Sequence, residues 1–284
     1  MSTQFATLPD LILEPMVRAA LMEDLGQNGD ITTRAVIPAS ATYSARLNTR
    51  EDGVVSGMQI ARIAFHLVDA GLKIETLLAD GSPCKKGDTL MTIEGSAASI
   101  LSGERVALNF AGRLTGIATL TAAFAAETRG TATRITCTRK TTPGLRIAEK
   151  QAVLHGGGYN HRFGLSDAIL IKDNHIAAAG GVKAVLEAAK ASVSHMMKVE
   201  IEVDTLDQLA EVIATGGADV VLLDNMDTPT LAKAVEMAKG HVVSEASGNM
   251  RLERIAEVAA TGVDYISSGA LTHSARTLDL GLDF

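Results

Sequence analysis

Apolar residues follow two different rhythms along this chain. In the first hundred or so residues the pattern is mixed. Leu11 to Met22 has helical apolar spacing, Asp30 with Thr32 and Thr33 marks a break, and Tyr43 to Asn48 alternates apolar and polar positions as a strand does. Asp80-Gly81-Ser82-Pro83 and Lys86-Gly87-Asp88 bracket a turn-rich stretch that leads into a short strand at Thr89 to Ile93. From Ser102 the period becomes that of one long helix, with Val106, Phe110, Leu114, Ile117 and Phe124 on one face. Glu104 then sits near its positive end and Arg105 projects from its first turn.

Beyond Thr131 the pattern turns regular. Short β-branched runs recur at Arg134 to Cys137, Ala168 to Lys172, Val199 to Val203, Val220 to Leu223, Val242 to Glu245 and Tyr265 to Ser267. Helical segments at Leu206 to Thr215, Thr230 to Lys239 and Leu252 to Thr261 separate the last four. Strands alternating with helices predict repeated βα units around a parallel sheet, and closure into a barrel is the natural solution. The fold class expected is therefore α/β, with an α+β segment ahead of a parallel barrel.

Composition narrows the setting. The chain has 284 residues, 46% of them hydrophobic, enough for one large core and a second, smaller one. No run approaches the ~18 to 20 apolar residues of a membrane span, and MSTQFATLPDLILEPMVR lacks the basic flank and apolar core of a leader, so no membrane association and a cytoplasmic location are expected. Cys84 and Cys137 lie far apart without a CxxC partner, which favours reduced, unpaired thiols. With no Trp and a net charge of −7, neither the stacking platforms nor the broad basic face of a nucleic-acid binder is present.

Against that acidic background, Arg134, Arg139, Lys140, Arg146, Lys150, Arg162 and Lys172 face only Glu149 and Asp167, a local balance of +5. Such runs are ordinarily solvated helix faces. Here Thr138, Thr141, Thr142, Pro143 and Gly144 are poor helix material, which places Arg139 and Lys140 in the loop after a strand and suggests a cleft for a small, highly charged anion. The strand ends agree: Lys172-Asp173-Asn174, Glu202, Asp224-Asn225, Glu245 with Ser247-Gly248, and Ser268-Gly269 each follow an apolar run, and in a parallel barrel such ends converge on one face. Ser247-Gly248-Asn249 and Ser268-Gly269-Ala270 suit phosphate, with helix starts behind them. Glu202 and Asp224 could form an acid and base pair, but surrounding cations favour the ionised forms, so ligation of Mg2+ or of ribose hydroxyls is the preferred reading.

TRKTTPGLR, EKQAVLHGGGYNHRFGLSDAILIKDNH, IEVD, GADVVLLDNM, EASG and GVDYISSGALTHSA, with EDLGQNGDITT and SGERVALNF before them, together resemble the quinolinate phosphoribosyltransferases over nearly the whole chain. The resemblance implies an α/β sandwich domain at 1–115, rejoined by the tail 273–284, and an open α/β barrel of parallel strands at 116–272. It implies transfer of phosphoribosyl from 5-phosphoribosyl 1-diphosphate to quinolinate with loss of CO2, Mg2+ as cofactor, and a homodimer in which Arg105 completes the neighbouring site. By the same resemblance Arg139, His161, Arg162 and Lys172 hold the quinolinate carboxylates. Lys140, Glu202 and Asp224 surround the ribose, diphosphate and metal as catalytic residues, and Ser247, Gly248, Asn249, Ser268 and Gly269 grip the 5-phosphate. Where the family commonly reads EASGGI this chain reads EASGNM, and Asn tolerates the left-handed backbone such a turn needs. Two other readings remain: a paralogous phosphoribosyltransferase acting on another aromatic acid, and a non-catalytic phosphate-ligand sensor, which would need the anion clamp but not Lys140 with both carboxylates.

Overall fold

Helix α1 (Asp10–Leu25) comes first in the computed structural model, which describes residues 7–284. The first six residues of the stretch read above for a leader lie outside the described residues. α1 buries Leu13, Val17 and Leu21, a single stripe at four-residue spacing. Asp30, the expected break, is an N-cap: its carboxylate accepts the Thr33 N–H at 2.8 Å and starts α2 (Ile31–Val36). There follow β1 (Thr42–Thr49), β2 (Gly53–Val54), α3 (Met58–Val68), β3 (Lys73–Thr76), β4 (Pro83–Cys84), β5 (Thr89–Ser96) and α4 (Ala97–Glu127). Asp80 in the turn-rich stretch accepts the backbone N–H groups of Met58 at 2.9 Å and Gln59 at 3.3 Å, so this loop serves the positive end of α3. α4 corrects the sequence reading. It begins at Ala97, where Ser96 Oγ accepts the Ser99 N–H at 3.3 Å, not at Ser102. Arg105 is consequently exposed in the third turn, and Glu104 lies beyond reach of the helix's positive end.

The second half supplies β6 (Arg134–Thr136), α5 (Arg146–His155), β7 (Ile169–Ile171), α6 (Asp173–Ala179), α7 (Val182–Ser192), β8 (Val199–Val203), α8 (Leu206–Thr215), β9 (Val220–Asp224), α9 (Thr228–Ala238), β10 (Val243–Ser247), α10 (Leu252–Ala259), β11 (Tyr265–Ser267), α11 (Ala270–His273) and β12 (Leu280–Asp283). The chain separates into two units. The first takes residues up to Ala122 with Thr141–Gly157 and Leu271–Phe284; the second takes Ala123–Lys140 and Gly158–Ala270.

In the second unit six strands form one parallel sheet in the order β6-β11-β10-β9-β8-β7. β6 and β7 are its two unjoined ends, which makes the barrel open. On β6 the free edge is taken by Tyr159, whose N–H donates to Ile135 O at 2.8 Å and whose carbonyl accepts the Cys137 N–H at 3.1 Å. Register assigns the faces. Ile135, Ile201, Val203, Val221, Leu223, Ala246 and Ile266 share one face and are essentially fully buried, while Glu200, Glu202, Asp224, Glu245, Ser247 and Ser267 share the other. The run Val-Glu-Ile-Glu-Val of β8 is thus a two-sided strand, apolar on one side and carboxylate on the other.

In the first unit an antiparallel sheet runs β12-β1-β5-β3, with Arg46 opposite Asp283 and Thr49 opposite Leu280. The tail reaches β1 across α4 at two glycines. A Cβ on Gly116 would stand 1.9 Å from Arg276 O, and one on Gly112 2.8 Å from Leu278 O, while the Leu278 N–H donates to Gly112 O at 3.0 Å. Between them Arg113 donates through Nη1 to Ala275 O at 2.8 Å, through Nη2 to Thr272 O, and through Nε and Nη2 to Glu149 Oε1 at 3.2 and 2.9 Å. Glu149 is fully buried and also accepts the Thr142 N–H at 3.0 Å and hydroxyl at 2.8 Å, so its charge is paired and its lone pairs are used.

Replacement Gly116→Ala forces the tail off α4 and should cost about 1–3 kcal/mol, the usual price of overpacking. Thermal unfolding checks this, and an unchanged Tm would show that the close approach does not contribute to stability.

Candidate active site

The basic cluster seen in the sequence is spread over both units. Arg146 and Lys150 lie on α5 in the first unit, with Lys150 almost wholly buried. Arg134 starts β6, at the opposite end from Arg139, and its guanidinium lies 4.8 Å from the Tyr159 ring centroid and 3.2 Å from the Tyr265 hydroxyl. Arg139, Lys140, Arg162 and Lys172 are all in the second unit. Arg139 is half-buried and Lys140 exposed in the loop after β6, as the poor helix propensity there predicts.

Arg162 lies in an irregular segment held from both sides. Asp167 accepts the N–H groups of Phe163 and of Gly164, the latter at 2.7 Å, and Arg162 Nη1 donates to Ala168 O at 3.2 Å. Burial, then the Arg139 charge, push the Arg162 guanidinium below the ordinary arginine pKa, with Glu200 and Asp167 opposing. Its Nε is buried and donates to no group. Two neighbouring cations, one carrying an unused donor, form a site that an anion would relieve.

Lys172, at the N-cap of α6, pairs through Nζ with Glu202 Oε2, joining the ends of β7 and β8. Asp224 ends β9 and accepts the side-chain N–H of Asn225 at 2.5 Å. Glu202 is in register with Leu222, two residues before Asp224, so both carboxylates stand on the same face of adjacent strands. His161 is placed deeper. Its Nδ1 accepts the Arg162 N–H at 2.8 Å, and its Nε2 lies 2.8 Å from Glu200 Oε2 and 3.7 Å from Glu245 Oε1.

Glycine and asparagine shape the last two strand ends. Asn225 and Asn249 are the non-glycine residues with positive φ among those described, at 52° and 49°. Asn249 thus has the left-handed backbone that its side chain tolerates. Gly248 has φ 93°, and a Cβ there would meet Asn225 Oδ1 at 2.2 Å, while the Asn225 N–H donates to Ser247 O at 3.1 Å. Ser268 Oγ donates to Met250 O at 2.9 Å, and its N–H donates to Thr136 O at 3.1 Å, leaving Gly269 to begin the turn into α11. Arg105 belongs to the first unit.

Sequence reasoning missed Glu200 and gave Glu245 only as a strand-end residue. Glu245 is inside β10, two residues short of its end, and 5% exposed. The two-residue period of Val-Glu-Ile-Glu-Val was the available signal, since it aims Glu200 the same way as Glu202. Burial, then the Glu200 charge, raise Glu245 from 4.5 to about 7 against His161 and a hydrogen bond with Ser267.

Two family models match the chain, the N-terminal domain of quinolinate phosphoribosyl transferase at residues 30–115 and its C-terminal domain at 117–283. "Quinolinate phosphoribosyltransferase [decarboxylating] 1" of Nicotiana glauca is 43% identical over 96% of this chain and 83% of its own length. The "probable nicotinate-nucleotide pyrophosphorylase [carboxylating]" of Bacillus subtilis is 40% identical over 96% and 93%. The crystal structure of NadC from Streptococcus pyogenes superposes with a TM-score of 0.94, at 39% identity over 98% of each chain.

The Glu245 shift has a consequence for stability. Folded, this carboxyl keeps its proton between pH 4.5 and about 7, where the unfolded chain has lost it. Its contribution is therefore full below pH 4.5 and is lost as pH rises through about 7. Glu245→Gln cannot ionise, so the Tm of the variant relative to the parent should rise between about pH 5 and about pH 8. Parallel Tm curves over that range would contradict the shift.

Proposed function

The chain belongs to the quinolinate phosphoribosyltransferase family, and from that membership we propose that it transfers the phosphoribosyl group of 5-phosphoribosyl 1-diphosphate to quinolinate. Diphosphate and CO2 are released and nicotinate mononucleotide is formed, a step in NAD biosynthesis. The observation that carries the reading at the site is the pair Arg139 and Arg162, neighbouring cations of which the second holds a buried, unused donor. A planar dicarboxylate supplies what that pair lacks.

In this reading Arg139, Arg162 and Lys172 bind the quinolinate carboxylates with His161 beside Arg162 in the same subsite, and Arg105 of a partner subunit completes the site in a homodimer. Lys172 is committed to Glu202 before ligands arrive. A substrate carboxylate and a metal ion therefore each take one member of that ion pair. Glu202 and Asp224, carboxylates on one face of adjacent strands, fit a hard cation. Mg2+ held there would offset the charge of the diphosphate. The phosphate turns are Ser247-Gly248-Asn249 and Ser268-Gly269, where strand ends present backbone N–H groups.

The C1 to diphosphate bond breaks through an oxocarbenium-like state, with Lys140 stabilising the departing oxygen and the two carboxylates holding the ribose hydroxyls. The pyridine nitrogen then bonds to C1 and becomes a pyridinium. The adjacent carboxylate leaves as CO2, its bonding electrons fall to the ring carbon beside that cationic nitrogen, and a proton replaces it. No covalent enzyme intermediate enters. No helix among the described residues is long and apolar enough to cross a membrane.

The test is an assay of purified protein with quinolinate, 5-phosphoribosyl 1-diphosphate and Mg2+, following nicotinate mononucleotide and CO2 together, with nicotinate as a parallel substrate. Both products should appear from quinolinate alone; nucleotide from nicotinate would point to a paralogous activity, and neither product to a sensor. Arg139→Ala should weaken quinolinate binding by about 1.5–3 kcal/mol, roughly 10- to 150-fold, and unchanged affinity would remove Arg139 from the subsite. Arg105→Ala should fold and dimerise yet lose most activity, so normal turnover would refute the shared site.

A further inference from the structure

His161 spends both ring nitrogens on the protein itself. Nδ1 accepts the Arg162 N–H at 2.8 Å, so the ring proton belongs on Nε2, which faces Glu200 Oε2 at 2.8 Å and Glu245 Oε1 at 3.7 Å. The imidazole is thereby a strut between the floor of the barrel and the backbone of the residue that carries the carboxylate-binding guanidinium. Its foot is a pair of carboxylates on β8 and β10, 7% and 5% exposed, with Glu200 Oε1 and Glu245 Oε1 buried and accepting no hydrogen bond. Such a pair is costly to bury. It does not serve the outer strand-end ligands directly, because it lies deeper on the same face than Asp224 and Ser247.

Building on the proposed reaction, we propose that Glu200 and Glu245 are positioning residues of the quinolinate subsite. They fix the His161 ring from below, and through Nδ1 the ring pins the Arg162 amide and so aims the Arg162 guanidinium. Ordinary arginine flexibility would otherwise spread that side chain over many rotamers, at a binding cost paid whenever an anion arrives. The cluster has the composition of a metal site, with its ligand atoms within 4.8 Å of one another. The nearby Arg162 charge, which Glu200 stabilises, supplies positive charge without a metal.

Steady-state kinetics of the full-length protein, with each substrate varied in turn, test this. E200Q and E245Q keep the side-chain size; the first removes the charge bonded to Nε2 at 2.8 Å, the second a carboxyl that stands 3.7 Å from it. E200Q should raise the KM for quinolinate on the order of tenfold, the effect of weakening one charge-assisted hydrogen bond, E245Q should raise it by less, and both should leave the KM for 5-phosphoribosyl 1-diphosphate within about twofold. H161A should do the same, and the double variant H161A/E200Q should be no worse than H161A, since both act through one strut. H161N retains a carbonyl where Nδ1 stands, so it should recover quinolinate affinity better than H161Q, which reaches only toward Nε2. Thermal unfolding accompanies each variant, and if E200Q does not fold, E245Q and the two His161 replacements decide the matter.

Unchanged quinolinate KM in E245Q and E200Q, additive effects in the double variant, or better recovery by H161Q would each overturn the proposal. So would a stoichiometric divalent metal in the purified protein that E245Q removes, because the cluster would then be a metal site. A parent enzyme that makes no nicotinate mononucleotide refutes the reaction instead, an outcome separate from all of these.

Discussion

Compensation of charge on the inward face of a parallel sheet governs this protein. Strands buried on both sides ordinarily read as continuous apolar runs, yet β8 and β10 turn Glu200, Glu202 and Glu245 to one face, and β8 keeps its opposite face apolar. Buried carboxylates are tolerable only when neighbours neutralise or protonate them. The structure does both: Lys172 pairs with Glu202, His161 faces Glu200, and Glu245 holds its proton toward pH 7. Cations delivered by the strand-end loops are thus part of the fold's own charge balance as well as its ligand chemistry.

That balance is uneven in a useful way. Beside the buried carboxylates, Arg139 and Arg162 sit close enough that one lowers the other's pKa. An anion bound to this pair relieves that repulsion, and preorganised charge of this kind stabilises a reaction without reorganisation at the moment of chemistry.

Much of this was legible in the sequence, and the failures have physical causes. Five-residue runs such as Val199–Val203 and the helix Leu206–Thr215 were readable to the residue, because periodicity and the Thr205 cap coincide there. The strand-end polar residues were legible because parallel βα topology dictates where strand ends go. The start of α4 lies at Ala97 and not at Ser102, the helical spacing of Ala97, Ile100 and Leu101 being too short a run to mark the start alone. Arg134, Arg146 and Lys150 prove to lie on β6 and α5, placements that local charge density does not give. Glu200 is legible only through the two-residue period of β8 that aims it with Glu202, a direction that its charge alone does not give.

β12 is the last strand of the chain and an edge of the first unit's sheet, paired with β1 more than two hundred residues earlier. During synthesis the second unit has its final strand, β11, once residue 267 has emerged, whereas the first unit still lacks both an edge strand and the carbonyls that Arg113 bonds at 272 and 275. The order of completion on the ribosome is therefore the reverse of the order in the gene. The segment made first must wait, with the β1 edge open to other strands, until residues 280–283 have emerged.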